Sequence, residues 1–231
     1  MKTPSVVDML KSGVHFGHRT SRWHPYMAPY IFGVRQNVHI INLQETEAKL
    51  TESCQALKSM AAEGKTILFV GTKRQASELV KKYAEEAGMP YVNNRWLGGL
   101  LTNFKNVATG ARKLTRLKMQ KETGELKKYT KKEQLEFDRE IEKLQRLVGG
   151  IEKLYKMPDA LFIVDLNEEK TALAEAMQMR IPVFAMCDTN VNPRDVDYAI
   201  PANDDAVKSI DLITSTVSSA IAEGVKEIKT A

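Results

Sequence analysis

The chain has 231 residues, two cysteines and a net charge of +5, enough for one sizeable core or a core with an appendage. The charge is unevenly spread: residues 1–35 carry five basic side chains and one acid, residues 105–146 thirteen and seven, and residues 147–231 eight and fourteen, so a basic front and middle would face polyanions and an acidic back would face solvent or another partner. No run of about 18 apolar residues spans a membrane, the start "MKTPSVVDMLKSGVHFGH" lacks the apolar stretch of a secretory signal, and Cys54 and Cys187 are too few for a disulfide framework, which fits a reducing compartment.

In chain order, residues 1–36 read as a basic, aromatic arm. "HFGHRTSRWHPYMAPYIFGVRQ" (15–36) has no clean period and contains Pro25 and Pro29, so it is expected to be irregular. "VHIINL" (38–43) reads as a strand and 45–62 as a helix. From residue 65 strands and helices alternate. "TILFVG" (66–71) is a continuous apolar run, as in a strand buried on both faces. "QASELVKKYAEEAG" follows with Ala76, Leu79, Val80, Tyr83 and Ala87 at helical spacing and Gly88 as the stop. "MPYVNN" is a second short strand, "DALFIVDL" (159–166) a third, "IPVFAMCDTN" (181–190) a fourth and "DYAIPAN" (197–203) a fifth. A helix follows the third, and the last helix runs from about Asp204 to Ala222. The pattern predicts an α/β fold, a parallel sheet flanked by helices, built from residues 37–103 and 151–231.

Residues 104–150 interrupt that alternation. Phe104, Val107, Ala111 and Leu114, and then Phe137, Ile141, Leu144, Val148 and Ile151, recur at spacings of three and four. Gly124 would end the first helix, and "TKKE" at Thr130–Glu133 is a capping box for the second. The segment is expected to be an inserted, protruding antiparallel helical hairpin with a coiled-coil seam. Gly149 and Gly150 return the chain to the sheet.

Three stretches carry candidate chemistry. "FVGTKRQAS" is strand, glycine and helix start, the geometry that holds phosphate on helix amides. It lacks the second Gly-Lys-Ser/Thr of a nucleotide loop, and G-x-G-x-x-G is absent after every strand. Lys73 and Arg74 could still grip a backbone phosphate. The arm interleaves Arg19, Arg22, Trp23 and Arg35, which suits RNA, with phosphates on the cations and unstacked bases on the rings. His18, Asp188, Asp204 and Asp205 could form a site for a divalent metal, zinc or magnesium, since Asp188 ends a strand, although Asp204 also reads as a helix N-cap. No GxSxG, HExxH or paired-cysteine motif is present. A soluble nucleotide-binding α/β enzyme is the alternative on fold class, and a protein scaffold without RNA is a third reading.

"GVHFGHRTSRWHPYMAPYIFG", "VHIINLQET", "ILFVGTKRQAS", "VNNRWLGGLLTNF", "PDALFIVD", "IPVFAMCDTN" and "YAIPANDDA" together resemble the S-two family of bacterial small-subunit ribosomal proteins, from about residue 5 to residue 225. "NRWLGGLLTN" is the most specific piece. The resemblance implies a Rossmann-like body with a helical hairpin, no catalysis, no small-molecule substrate and a cytoplasmic, ribosome-bound protein. It implies contact with 16S rRNA between head and body of the 30S subunit and with other small-subunit proteins. One of these is the large mRNA-binding S-one protein, which it would help to hold. Arg95 would pair with phosphate, and Trp96 would stack on RNA or brace the protein. Thr102 or Asn103 would cap the following helix. Lys105, Arg112, Lys113, Arg116, Lys127, Lys128, Lys131 and Lys132 would add phosphate contacts along the hairpin.

Overall fold

The computed structural model describes residues 3–230. The arm is more ordered than its sequence suggests. A short helix, α1 (Val6–Lys11), is closed by a capping box between Ser5 and Asp8. Strands β1 (Phe16–Arg19), β2 (Ile31–Arg35) and β3 (Val38–Ile41) then form a small antiparallel sheet in the order β1-β3-β2. Gln36 and Asn37 make the β2–β3 turn, both at positive φ, 50° and 61°, as the two-residue hairpin turns that match strand twist require. The stretch holding Pro25 and Pro29 is a 3-10 turn, Pro25–Tyr30, whose Met27 is buried. Register breaks between Phe16 and Arg19 and between Ile31 and Gly33 are what hid β1 and β2 from a period-two reading, whereas β3 falls within the strand expected over 38–43.

The helix α2 (Leu43–Ala62) starts on Asn42, whose side chain accepts from the Gln44 amide. The main sheet follows, with β4 (Ile67–Val70), α3 (Ser77–Ala87), β5 (Tyr91–Val92), α4 (Phe104–Glu122), α5 (Lys131–Val148), β6 (Ala160–Val164), α6 (Lys170–Met179), β7 (Val183–Cys187), β8 (Tyr198–Pro201) and α7 (Val207–Thr230). Its five strands are parallel, in the order β5-β4-β6-β7-β8. Every residue of β4, β6 and β7 is buried, which explains the unbroken apolar runs.

Strand alternation divides the core into two layers. Ile67, Phe69, Phe162, Phe184 and Ile200 join the cluster containing Leu50 and Leu57 of α2, Val80 of α3 and Ile213 and Val217 of α7. Phe69, Phe162 and Phe184 stand in register across three strands. Leu68, Val70, Leu161, Ile163 and Ala185 point the other way, into a cluster with Ala172 and Ala176 of α6, Leu114 of α4, Val148 of α5 and Met27 from the arm.

The helix α4 buries Ala108, Ala111, Leu114 and Leu117, while in α5 only Val148 is fully buried. Lys113 pairs with Glu140, and Lys121 with Asp138 at 2.8 Å, across the two helices. Gly124 turns the chain at φ 78°, and Thr130 and Glu133 form the expected capping box. A Cβ on Gly150 would fall on the carbonyl oxygen of Tyr91, so this return point needs glycine to lie against β5.

Candidate nucleic-acid interface

The carboxyl ends of β4, β6, β7 and β8 meet where an α/β protein usually places a ligand. Here the protein's own side chains occupy that crevice. The Thr72 amide, which would face a phosphate, donates to Glu169 Oε1 at 2.6 Å. Lys73 Nζ lies 2.8 Å from Asp165, 3.0 Å from Asp204 and 2.7 Å from Asp205. Burial alone would depress the Lys73 ammonium, but the three carboxylates outweigh it and hold the group well above its usual range. Lys73 is therefore committed inward, which corrects its assignment to phosphate. Arg74 beside it is exposed.

The four residues expected to hold a metal do converge, as part of this ion-pair cluster. His18 Nδ1 lies 3.1 Å from Asp188 Oδ2, and Nε2 lies 3.5 Å from Asp205 Oδ2. The Asp188 contact raises the imidazole against the opposing effect of burial. Burial and the nearby Asp165 and Asp188 charges push Asp204 up to about 7, although Lys73 draws it down. The donor set does not fit a metal: the Lys73 ammonium neutralises Asp204 and Asp205, and among the described residues no group of three or more His, Cys, Asp or Glu is arranged to hold an ion. Nor is Asp204 the cap of α7, which starts at Val207 with the Ala206 carbonyl accepting from the Ser209 and Ile210 amides; Asn203 forms the turn before it, accepting from the Asp205 and Ala206 amides at 2.8 and 3.0 Å.

Part of the acidic back half is buried. Asp165, Glu169, Glu175, Asp188 and Asp204 are all buried. The other nine acids of residues 147–231 are half-buried or exposed and leave acidic charge at the surface.

Glu175 organises the stretch "NNRWLGGLLTN". Its carboxylate accepts from Trp96 Nε1 at 3.0 Å, from the Gly99, Leu101 and Thr102 amides at 2.8, 3.0 and 3.2 Å, and from Thr102 Oγ1 at 3.3 Å. Gly99 sits at φ 86°, the left-handed geometry within the turn that gathers these amides. Burial would raise the Glu175 carboxyl, but the indole and the three amides outweigh it and hold it below its ordinary range. Trp96 is 8% exposed and is a brace, not a platform for RNA. Thr102 bonds Glu175 instead of capping α4, and Asn103 occupies the cap position without a side-chain cap bond. Sequence reasoning missed Glu175, although Ala172, Glu175, Ala176 and Met179 share one face of α6, and a carboxylate on an apolar stripe is a signal of a buried partner.

The remaining basic candidates lie outside. Arg19, Arg22, Trp23, Arg35, Arg74, Arg95, Asn103 and Lys105 are exposed, as are Arg112, Lys113, Arg116, Lys127, Lys128, Lys131 and Lys132. Lys113 is engaged by Glu140. Arg19, Arg22, Arg35, Arg74, Arg95, Arg112 and Arg116 form no ion pair among the described residues. His18, Arg19 and Arg22 line a cleft of ≈ 610 Å³ together with the Asp205 carboxylate.

Fold and site together define an α/β protein with a self-filled crevice and a basic exterior. The family model described as ribosomal protein S2 matches residues 9–224, and the chain belongs to that family. It is 50% identical over 225 residues to the small ribosomal subunit protein uS2 of Helicobacter hepaticus, covering 97% of this chain and 85% of the relative. The protein of the same name from Flavobacterium johnsoniae is 49% identical, with 96% and 87% covered. That from Salinibacter ruber is 47% identical, with 96% and 70% covered.

Proposed function

We propose that the chain is a structural constituent of the small ribosomal subunit, serves translation in the cytoplasm, and catalyses no reaction. It binds 16S rRNA between head and body by phosphate contacts from the arm, from Arg74 and Arg95, and from α4 and α5. With other small-subunit proteins it helps to anchor the large mRNA-binding S-one protein. Membership of the ribosomal protein S2 family supports the placement and the partners. The observation that carries the RNA contact is the set of seven exposed arginines without a carboxylate partner among the described residues. Cations left unpaired on a rigid body are what counterion release from a polyanion requires. The nucleotide-enzyme alternative loses its footing, because the Thr72 amide and the Lys73 ammonium are already saturated by carboxylates.

The test is the combined reversal Lys127→Glu, Lys128→Glu, Lys131→Glu and Lys132→Glu at the tip, measured as 16S rRNA affinity against salt. Each phosphate contact contributes roughly 0.7–0.9 to the logarithmic salt slope, so the variant should bind more weakly and with a flatter slope. An unchanged slope would place the tip off the RNA.

A further inference from the structure

Tyr155 is the most exposed aromatic side chain among the described residues, at 86%. It stands on the segment returning from α5 to β6, directly after buried Leu154. Beside it runs a groove of ≈ 310 Å³ along α4. Buried Ala108, Ala111 and Leu154 form its floor, and exposed Arg112, Arg116 and Met119 stand with Tyr155 at its rim. Arg112 and Arg116 are four apart on one helix and so project to the same side. Neither has an acidic partner among the described residues. The one acid in the lining, Glu152, accepts from Lys118 Nζ and does not oppose them.

A tyrosine held out in water next to two unpaired guanidiniums has no role in this chain's own packing. An apolar protein segment would gain little from the arginines, whereas an unpaired nucleotide uses the whole set: a ring face for the base and cations for the flanking phosphates. We propose that this groove takes one unstacked base of a single-stranded RNA segment, stacked on Tyr155, with Arg112 and Arg116 on the adjoining phosphates. The proposal rests on the RNA-binding reading above and gives the base of α4 a stacking contact of its own.

The experiment uses the full chain and a 16S rRNA transcript carrying 4-thiouridine. Affinity is measured across salt for the native protein, Tyr155→Ala, Tyr155→Phe and the double change Arg112→Ala, Arg116→Ala, and photocrosslinks are mapped by mass spectrometry. Removing one base–aromatic stack lowers affinity roughly 5- to 150-fold. Tyr155→Ala should therefore bind on the order of tenfold more weakly with its salt slope intact, while Tyr155→Phe binds as the native chain does. The double arginine change should flatten the slope, and a crosslink should fall on the peptide containing Tyr155. Because Tyr155 is solvent-exposed, circular dichroism should show native helix content in every variant. Native affinity in Tyr155→Ala overturns the proposal, as does Tyr155→Phe failing equally with it. If Tyr155→Ala keeps its RNA affinity but no longer sediments with small subunits, the groove holds a protein; the proposal then fails while the RNA reading stands. If the native chain itself does not bind the transcript, the RNA reading fails and this inference with it.

Discussion

Replacing Glu175 by alanine removes a single carboxylate from five hydrogen bonds. Two of its donors, the Trp96 indole and the Leu101 amide, belong to buried residues, whereas Thr102 is exposed and Gly99 half-buried. A buried donor left without a partner costs about 1–3 kcal/mol, so the two orphaned groups cost about 2–6 kcal/mol together. For a chain of this size each 1 kcal/mol lowers the thermal midpoint by about 2–4 °C, and a loss near 3 kcal/mol is a drop of about 6–12 °C. Glu175→Gln should also destabilise, because its amide nitrogen must face two or more N–H donors. Calorimetry gives the midpoint, and Trp96 fluorescence reports whether the indole becomes wetter. The pH dependence has a defined sign. The folded carboxyl titrates below its ordinary value of 4.5, so its contribution is complete above that value and disappears as the pH falls through the folded value. The gap between native and Glu175→Ala midpoints should therefore narrow in acid. A midpoint within about 1 °C of native near neutral pH, where the cost above is at least about 4 °C, would refute the reasoning.

Two further substitutions probe the same framework. Lys73→Met leaves buried Asp165 and Asp204 without their cation and should cost about 3–5 kcal/mol in urea unfolding, the range for breaking a buried pair from one side; a native urea midpoint would mean that the crevice is not held by this charge. Gly150→Ala forces a methyl against the Tyr91 carbonyl and should lower stability by about 1–3 kcal/mol, the usual cost of overpacking. A neutral result at Gly150 would mean that the return from α5 yields without strain.

The parallel sheet was legible because its central strands are buried on both faces and so read as unbroken apolar runs, from Ile67–Val70 to Val183–Cys187. Helix stops at Gly88 and Gly124 and the Thr130 cap were legible because each needs a specific residue type at one position. The arm was not, since β1 is only "FGHR", two register breaks destroy its alternation, and its pairing with β3 is set by tertiary contact. Lys73 and Glu175 were misread or missed for a related reason. A lysine after a strand looks like a phosphate ligand until Asp165 and Asp204, 92 and 131 residues away, arrive beside it. Glu175 meets its partners 73–79 residues away, and no local pattern encodes such a meeting.

The central claim is that this chain is held in the small subunit through RNA. Sedimentation of tagged protein with ribosomal particles in a sucrose gradient at high magnesium, before and after RNase treatment, tests it most directly. The account predicts that the protein runs with small subunits and is released to the top of the gradient when the RNA is cut. Protein that stays at the top throughout, or that remains with a protein complex after the RNA is gone, would contradict it.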